Sequence, residues 1–223
     1  MQYIDFHTHQ TKQNRNIQIR NIFAQNLRHS TPEFLFSAGL HPWHIGKVNP
    51  GECFIAMESS AMQVNMLAIG ECGLDRSIST DFALQEKYFF EQIKIAEEHC
   101  KPLIIHCVRA YSDLLRIKKE MKSDIPWIIH GYRANLETTL NLLSRGFYFS
   151  VGEKLLKDVA KQDILKTIPL ERLFLETDDS EIPIQKIYLF AAQILKIDEE
   201  LLAEAIHNNF KTLFGDDKLA AKN

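Results

Sequence analysis

Two histidines near the start of the chain, His7 and His9, have a spacing that suits a shared ligand. The stretch IDFHTH, residues 4–9, sets them one residue apart after an apolar run and an aspartate. In an extended chain the side chains of residues i and i+2 lie on the same face, so both imidazoles can reach a common point. A metal ion would be that point, although so short a motif is weak evidence when it stands alone.

Four more metal-capable side chains follow short apolar segments, and they are Glu71, His106, His130 and Asp178. Each has a simpler interpretation, because a buried histidine is more often a hydrogen-bonded core residue and a lone carboxylate often caps a helix. Together with the first pair, however, they make four imidazoles and two carboxylates. That set is too large for one tetrahedral zinc ion with an open position, and it suits two divalent ions.

The segments that must position these residues have the pattern of parallel strands. Several are continuous apolar runs, which are typical of strands covered on both faces. The eight predicted strands are residues 3–6, 17–23, 34–40, 66–70, 102–107, 127–131, 147–151 and 173–177. Because the carboxyl ends of parallel barrel strands open on one rim, we expect all six side chains to face one cavity.

Amphipathic spacing predicts helices between the later strands and after the last one. They span residues 80–100, 111–121, 134–146, 153–163, about 186–196 and about 199–214, with Ser79 or Thr80 capping the first and Gly215 closing the last. Only residues 10–16 and 24–33 separate the first three strands, so one or two barrel helices are expected to be missing or reduced. The alternation predicts an α/β fold, a (β/α)8 TIM-like barrel shortened in its first βα units, with residues 1–223 as one domain.

The composition is that of an ordinary globular protein, with 45% apolar and 25% charged residues. The net charge of −3 gives no bulk attraction for a polyanion, so nucleic-acid binding would need a local basic site or metal ions. The four cysteines show no C-x-x-C spacing, which predicts reduced thiols. No segment is long and apolar enough to cross a membrane and no secretory signal is visible, so we expect a cytoplasmic protein.

The sequence resembles the TatD family of metal-dependent hydrolases. The matching motifs occur in family order and are IDFHTH (4–9), AGLHPW (38–43), AIGECGLD (68–75), PLIIHCVRA (102–110), WIIHGYRA (127–134) and LETDDS (175–180). The resemblance implies a (β/α)8-like barrel with deoxyribonuclease or phosphodiester hydrolase activity. It also implies the same six ligands, His7, His9, Glu71, His106, His130 and Asp178.

The chain departs from the family pattern in predicted rim loops. The region between Gln10 and Phe34 is short. GYRA follows His130 where the family commonly has a small-residue turn after an aromatic residue, and DSEIP follows Asp178 where the family commonly has a direct SP or AP. Gly152-Glu153-Lys154 replaces a commoner loop that contains threonine. These changes bear on the substrate more than on the metal ions.

The expected cofactors are two divalent ions, of zinc, magnesium or manganese. Our hypothesis places His7, His9 and Asp178 on one ion and His106 and His130 on the other, with Glu71 shared because a carboxylate has two oxygens. A water held by two ions loses its proton more readily, which makes hydroxide available near neutral pH. Asp178 is the predicted general base, since one of its oxygens can accept the proton while the other binds metal.

Four further residues have predicted supporting roles. Arg109 and Arg133 each stand three residues past a ligand histidine and could bind phosphate, although a surface salt bridge is an equal alternative. His41 in GLHPW could donate to a substrate oxygen or simply fix its own loop. Asp75 could orient a ligand histidine, a common support for metal sites.

The predicted substrate is DNA, as a strand end or short oligonucleotide for which a few phosphates and the metal ions suffice. We expect a monomer with no obligate protein partner and no membrane. A second reading is a metallohydrolase of a small ester, lactone, amide or phosphomonoester, which the same two-metal core would serve. A non-catalytic metal-binding barrel is a third, and it would predict a lost ligand, whereas all six are present.

Overall fold

The computed structural model describes residues 2–10, 16–27, 32–216 and 218. Eight strands follow one another in the sheet in chain order, from β1 to β8. They are β1 Ile4–Thr8, β2 Ile17–Phe23, β3 Phe36–Gly39, β4 Met66–Asp75, β5 Leu103–Val108, β6 Trp127–Ile129, β7 Tyr148–Val151 and β8 Leu173–Leu175. The β1–β2, β3–β4, β4–β5, β5–β6 and β7–β8 pairings are parallel. All eight predicted strands are confirmed, and so is the (β/α)8 TIM-like fold class.

Helices lie between most successive strands of the described chain and after β8. They are α1 Pro50–Ala61, α2 Phe82–Glu98, α3 Tyr111–Met121, α4 Leu136–Leu143, α5 Glu153–Leu156, α6 Gln162–Thr167, α7 Ile184–Leu195 and α8 Glu199–Phe214. Short 3-10 turns cover Ala24–Asn26, Pro42–His44, Val159–Lys161 and Leu170–Arg172. Between β2 and β3 the described residues contain only the first of these turns, which agrees with a shortened βα unit. Most of the predicted linker of residues 10–16 lies outside the described residues.

Two helix predictions were wrong in detail. The cap of α2 is Asp81, whose Oδ1 accepts from the Leu84 amide at 2.8 Å, in place of Ser79 or Thr80. The segment 153–163 is not one helix, because α5 ends at Leu156 and a 3-10 turn leads into α6. The side-chain Nε2 of Gln162 donates to the Leu156 carbonyl across this break, and the apolar pairs on either side are buried.

Helix α1 was not predicted, because its buried stripe is weakly apolar. The buried residues of the helix are Cys53, Met57, Ser60 and Ala61, two of which are small and one of which is polar. The start of the helix is nevertheless well specified. Asn49 caps it by accepting from the Gly51 amide at 3.0 Å, and Pro50 occupies the first turn, where no amide donor is needed.

The chain divides into two compact units. The first comprises residues 1–20 and 130–223, and the second comprises residues 21–129. In the first unit, Phe6 of β1 stacks on Phe174 of β8 with ring centroids 4.0 Å apart. Tyr188 of α7 fixes the start of β1 by donating to the Ile4 carbonyl at 3.0 Å and accepting from the Ile4 amide at 3.3 Å.

In the second unit, two buried glutamines of α2 bind the backbone at the ends of strands. Gln92 accepts from the Leu40 amide at 2.7 Å and donates to the Leu40 carbonyl at 3.1 Å. Gln85 binds Asp75 in the same way, at 2.8 and 3.1 Å. These paired bonds satisfy backbone groups just after β3 and at the end of β4, and they fix the chain where polar side chains begin. Among the described residues, no helix has the length and apolarity to cross a bilayer.

Candidate metal centre

The first unit gathers His7, His9 and Asp178 through backbone hydrogen bonds. The Asp178 amide donates to the His7 carbonyl at 2.9 Å, and the His9 amide donates to the Asp178 carbonyl at 3.2 Å. The end of β1 is therefore hydrogen-bonded to Asp178, which lies three residues after the end of β8. Asp178 Oδ1 lies 3.9 Å from His7 Nε2 and 3.7 Å from His9 Nε2. The three side chains each offer one ligand atom within 4.8 Å of the others.

Asp178 has a backbone conformation that L-residues seldom adopt, with φ of +52°. Such a conformation is unfavourable for a residue other than glycine, and it persists only where the surroundings hold it. The two backbone hydrogen bonds that join Asp178 to His7 and His9 hold it in this conformation. Because strained residues concentrate at functional sites, this geometry supports a role for the Asp178 side chain beyond capping a helix.

Asp5, the aspartate of IDFHTH, supports the chain beside Asp178. Its two oxygens accept from the Thr177 amide at 2.8 Å and the Thr177 hydroxyl at 2.7 Å. Burial raises the pKa of Asp5 to about 7, although the bonds from Thr177 act to lower it and the nearby charge of Glu176 acts to raise it. Asp5 is therefore a structural carboxylate, a role that the sequence analysis did not assign.

His130 and Glu176 complete the group in the first unit. The ring centroids of His7 and His130 lie 4.3 Å apart, and His130 Nδ1 lies 3.8 Å from Glu176 Oε1. Glu176 is fully buried, and its Oε1 also accepts from the Gly131 amide. Sequence reasoning missed Glu176, which lies two residues before Asp178 within the predicted strand of residues 173–177. We call His7, His9, His130, Glu176 and Asp178 the Asp178 cluster.

The second unit contains a tighter group, His41, Glu71 and His106, which we call the Glu71 cluster. Glu71 Oε1 lies 3.0 Å from His41 Nε2 and 3.1 Å from His106 Nδ1. The His41 Nδ1 atom accepts from the Trp43 amide at 3.1 Å, so its proton belongs on Nε2 and points at Glu71. The structure thus places His41, predicted as a substrate-binding residue, beside a predicted metal ligand.

Asp75 lies on the other side of His106. Its Oδ2 is 3.1 Å from His106 Nε2 and accepts from Trp43 Nε1 at 2.9 Å. Burial acts to raise the pKa of Asp75, but hydrogen bonds from His106, Ser77 and Trp43 outweigh it and hold that pKa well below its usual range. Asp75 is thus an ionised carboxylate, held by several hydrogen bonds, that contacts the imidazole of the predicted ligand His106.

Glycines explain how Glu71 and His106 come together. Strand β4 runs to Asp75, well past the predicted end at residue 70, so Glu71 lies within the strand. A Cβ on Gly70 would lie 2.3 Å from the Ile104 carbonyl oxygen, and one on Gly73 would lie 2.1 Å from that of His106. Only residues without a side chain allow β4 to approach β5 so closely. The two glycines of the GECG sequence therefore serve to position Glu71.

The remaining predicted residues, Arg109 and Arg133, lie in the segments that follow β5 and β6. Arg109 directly follows β5 with a φ of +54°, and both Arg109 and Arg133 have exposed side chains. Lys154 was not assigned a role, yet its Nζ lies 3.4 Å from Asp178 Oδ2 and its side chain is 65% exposed. Together with Asp178, Lys154 lines a cavity of about 250 Å³ in the first unit.

Both clusters have the chemistry of divalent-metal sites. Two ligands that each lie about 2.0–2.2 Å from an ion are at most about 4.4 Å apart. In the Asp178 cluster, the 3.7 and 3.9 Å separations fall within that limit and exceed hydrogen-bond length. In the Glu71 cluster, both ring nitrogens of His106 face carboxylates at 3.1 Å. A neutral imidazole has one N–H, so the second contact requires a second proton or a metal cation.

Glu176 gives a further indication of a cation in the Asp178 cluster. Its Oε2 atom is buried and has no hydrogen-bond partner among the described residues. A buried carboxylate oxygen is costly unless a proton or cation faces it. The group formed by His130, Glu176 and Asp178 again offers three ligand atoms within 4.8 Å of one another.

Comparisons with known proteins agree with this chemistry. An uncharacterised metal-dependent hydrolase of Buchnera aphidicola is 30% identical over 204 residues, which cover 80% of this chain and 76% of that protein. A protein of Citrobacter rodentium named 3'-5' ssDNA/RNA exonuclease TatD is 31% identical over 163 residues, which cover 70% of this chain and 60% of that protein.

The fold is shared with a solved structure. The crystal structure of a TatD homologue from Escherichia coli superposes with a TM-score of 0.83 and 22% identity, covering 95% of this chain and 97% of that one. The model of the family described as TatD related DNase matches residues 6–215. This match begins within β1, continues past β8 and contains every residue of both clusters. The chain therefore belongs to the family of TatD related DNases.

Proposed function

We propose that the protein is a metal-dependent hydrolase of phosphodiester bonds that acts as a TatD-like deoxyribonuclease on single strands or short oligonucleotides. The observation that carries the proposal is the pair of histidine–carboxylate clusters, each with three or more ligand atoms within 4.8 Å. Relatives from Citrobacter and Rahnella bear the name 3'-5' ssDNA/RNA exonuclease, which supports a single-stranded substrate. The net charge of −3 also favours short substrates over long duplex DNA.

Two divalent ions, of zinc, magnesium or manganese, are the proposed cofactors. The proposed ligands are His7, His9, His130 and Asp178 from the Asp178 cluster and Glu71 and His106 from the Glu71 cluster. When bound, such ions would lower the pKa of a water molecule and would stabilise the negative charge that develops on a phosphoryl oxygen. The role of Glu71 as a shared ligand stays a prediction.

Asp178 is the proposed acceptor of the proton from the attacking water. Its Oδ1 faces the imidazoles of His7 and His9, while its Oδ2 faces Lys154 Nζ at 3.4 Å. The two oxygens therefore have different surroundings, and Asp178 also lines the cavity of about 250 Å³.

The Glu71 cluster is proposed to hold its ligands in a fixed orientation. His41 donates from Nε2 to Glu71, because its Nδ1 accepts from the backbone of Trp43. Asp75 holds His106 from the opposite side. Both neighbours limit rotation of a ligand, which reduces the reorganisation needed when an ion binds. Arg109 and Arg133, exposed after their strands, are the proposed contacts for substrate phosphates.

The test is hydrolysis by metal-stripped protein to which magnesium, manganese or zinc is returned. A single-stranded oligonucleotide, bis-p-nitrophenyl phosphate and p-nitrophenyl acetate are the three substrates. We expect metal-dependent release of nucleotides and cleavage of the phosphodiester, both absent in His7→Ala. His207→Ala is the matched control, since His207 lies on α8 and its Nδ1 contacts the Ala203 carbonyl.

Two outcomes would contradict the proposal. Turnover of the acetate alone would move the function to small-ester hydrolysis at the same clusters. Metal-dependent turnover that persists at full rate in His7→Ala would remove the Asp178 cluster from the reaction.

A further inference from the structure

One aromatic side chain beside the Glu71 cluster has no role in the proposed reaction. Among the described residues, Trp43 is the only phenylalanine, tyrosine or tryptophan that is exposed, with 51% of its surface open to solvent. The other tryptophan of the chain, Trp127, is fully buried. Trp43 belongs to the short 3-10 turn that follows β3, so packing in the core does not account for its large apolar ring.

The indole of Trp43 is held in place although half of the residue is exposed. Its Nε1 donates to Asp75 Oδ2 at 2.9 Å, and its backbone amide donates to His41 Nδ1 at 3.1 Å. Nε1 is the only polar atom of the side chain and already has a partner, so the rest of the ring offers apolar and π contacts alone. A ring that is fixed before binding loses little freedom when a ligand packs on it, which favours association.

The position of the indole places it beside the candidate metal ligands of the second unit. The ring centroid of Trp43 lies 4.8 Å from that of His41 and 5.7 Å from that of His106, both in edge-to-face arrangements. Both imidazoles contact Glu71 Oε1, at 3.0 and 3.1 Å. A phosphodiester bound at the Glu71 cluster would therefore have an exposed aromatic ring beside it, within reach of the base of an adjoining nucleotide.

An exposed, uncharged aromatic ring selects its ligands by stacking and apolar contact. Unpaired nucleobases have free π-faces and stack readily on aromatic side chains, whatever the base. A base within a duplex is already stacked on its neighbours and must leave the stack before it can pack on a protein side chain. A ring such as that of Trp43 would therefore favour single strands over duplexes without reading the sequence.

We propose that Trp43 is a stacking platform for a nucleobase of the substrate, so that a base next to the cleaved phosphodiester packs on the indole. Purines, which have the larger π-face, stack more strongly than pyrimidines at this platform. The inference rests on the proposed nuclease function and adds to it a base-binding site that accepts any unpaired base.

The first experiment compares KM and kcat of Trp43→Phe and Trp43→Ala on a single-stranded oligonucleotide. Both variants lose the hydrogen bond from Nε1 to Asp75, but only Trp43→Ala loses the aromatic ring. We expect KM of Trp43→Ala to be about 10- to 100-fold higher than that of Trp43→Phe, with similar kcat, because stacking on one base has an effect of that order. Leu201→Ala, which truncates a similarly exposed apolar residue of α8, is the control and should leave KM unchanged.

The second experiment detects the stack without hydrolysis. An oligonucleotide of deoxyadenosine is titrated into zinc-loaded Asp178→Asn protein while tryptophan fluorescence is recorded. Trp127 is buried and its Nε1 donates to Ser123 Oγ at 3.1 Å, so the difference between proteins with and without Trp43→Phe isolates the emission of Trp43. We expect the oligonucleotide to quench most of that emission, and a base-free sugar-phosphate chain of the same length to leave it unchanged.

Three results would overturn the proposal. Equal losses in Trp43→Phe and Trp43→Ala would show that the residue serves to hold Asp75. An unchanged KM in Trp43→Ala, or equal quenching by the oligonucleotide and the base-free chain, would show that no base stacks on the ring. The proposed function fails separately, since quenching of Trp43 without hydrolysis by the wild type at any metal would leave the platform in place and remove the nuclease activity.

Discussion

The two histidine–carboxylate clusters are held in place by different means. In the Glu71 cluster, side chains hold one another, with contacts of 3.0 and 3.1 Å from Glu71 to its two imidazoles and a further 3.1 Å contact from His106 to Asp75. In the Asp178 cluster, the corresponding side-chain separations are 3.7 and 3.9 Å, and backbone hydrogen bonds between β1 and Asp178 set the geometry.

We propose that the two clusters have separate functions. Side chains that already contact one another, as around Glu71, have lost most of their rotational freedom before a ligand binds, so they favour precise placement. Side chains held apart on a fixed backbone, as around Asp178, leave room for a metal ion and a reacting group. The proposed proton transfer at the Asp178 cluster is consistent with this difference.

The largest effect is expected from Asp178→Asn. This change keeps the backbone bonds to β1 and removes the proton-accepting carboxylate, so kcat for oligonucleotide hydrolysis should fall about 10²- to 10⁴-fold. The measurement is hydrolysis at saturating metal, with the folded state checked by thermal unfolding. Asp179→Asn, an exposed neighbour that lines the same cavity, should change kcat by less than about threefold. Near-normal kcat in Asp178→Asn would remove the proton-acceptor assignment.

Asp75→Asn is the corresponding change beside the Glu71 cluster. It replaces the carboxylate that contacts His106 with an amide, and we expect a loss of about 10- to 100-fold in metal affinity. Competition against a chromophoric chelator provides the measurement. Asp124→Asn, on the exposed surface of the same unit, serves as control. An unchanged affinity would show that the orientation of His106 does not depend on Asp75.

Thr177→Val tests the backbone support of the Asp178 cluster. The substitution keeps the shape of the side chain and removes the hydroxyl that donates to Asp5 at 2.7 Å, which leaves a buried carboxylate oxygen with one partner fewer. We expect the free energy of unfolding to fall by about 1–3 kcal/mol. Urea denaturation in the presence of a chelator measures this loss without any contribution from bound metal. No loss of stability would mean that the backbone bonds to His7 and His9 suffice.

The smallest effect is expected from Lys154→Met. The lysine is mostly exposed and its contact with Asp178 is 3.4 Å, so the ion pair itself contributes little to stability. We expect a decrease of only a few-fold in kcat/KM for an oligonucleotide, with unfolding unchanged. Lys166→Met, another exposed lysine with one carboxylate partner, is the matched control. A decrease as large as that of Asp178→Asn would place Lys154 among the catalytic residues.

The strands were predictable because their apolar runs are continuous and end at polar residues. The same reasoning located the six proposed ligands, since each follows or ends such a run. It could not place α1, whose buried stripe contains serine and alanine, nor the break between α5 and α6. It also could not show that β4 continues through Glu71 to Asp75. Gly70 and Gly73 allow β4 to continue, but two glycines so close together in a sequence are more typical of a turn.

Two contacts in the clusters could not be predicted from the sequence, for physical reasons. The contact between His41 and Glu71 joins residues that are 30 positions apart in sequence, and no local pattern reveals such a pair. The predicted role of His41 in substrate binding stays a prediction. Glu176 was passed over because a carboxylate inside a strand is usually assigned to the solvent face. Its burial depends on the Gly131 amide and on His130, which only the folded chain brings to it.

The measurement that tests the central claim most directly is metal stoichiometry, followed by hydrolysis, for the wild type, His7→Ala and His106→Ala. Each protein is stripped of metal, titrated with zinc or manganese and assayed on a single-stranded oligonucleotide at each ratio of metal to protein. We predict that the wild type binds two ions per chain, that each variant binds one fewer, and that both variants lose hydrolysis. Two ions retained in both variants, or hydrolysis that persists in either one, would contradict the account of two metal-binding clusters that carry out one reaction.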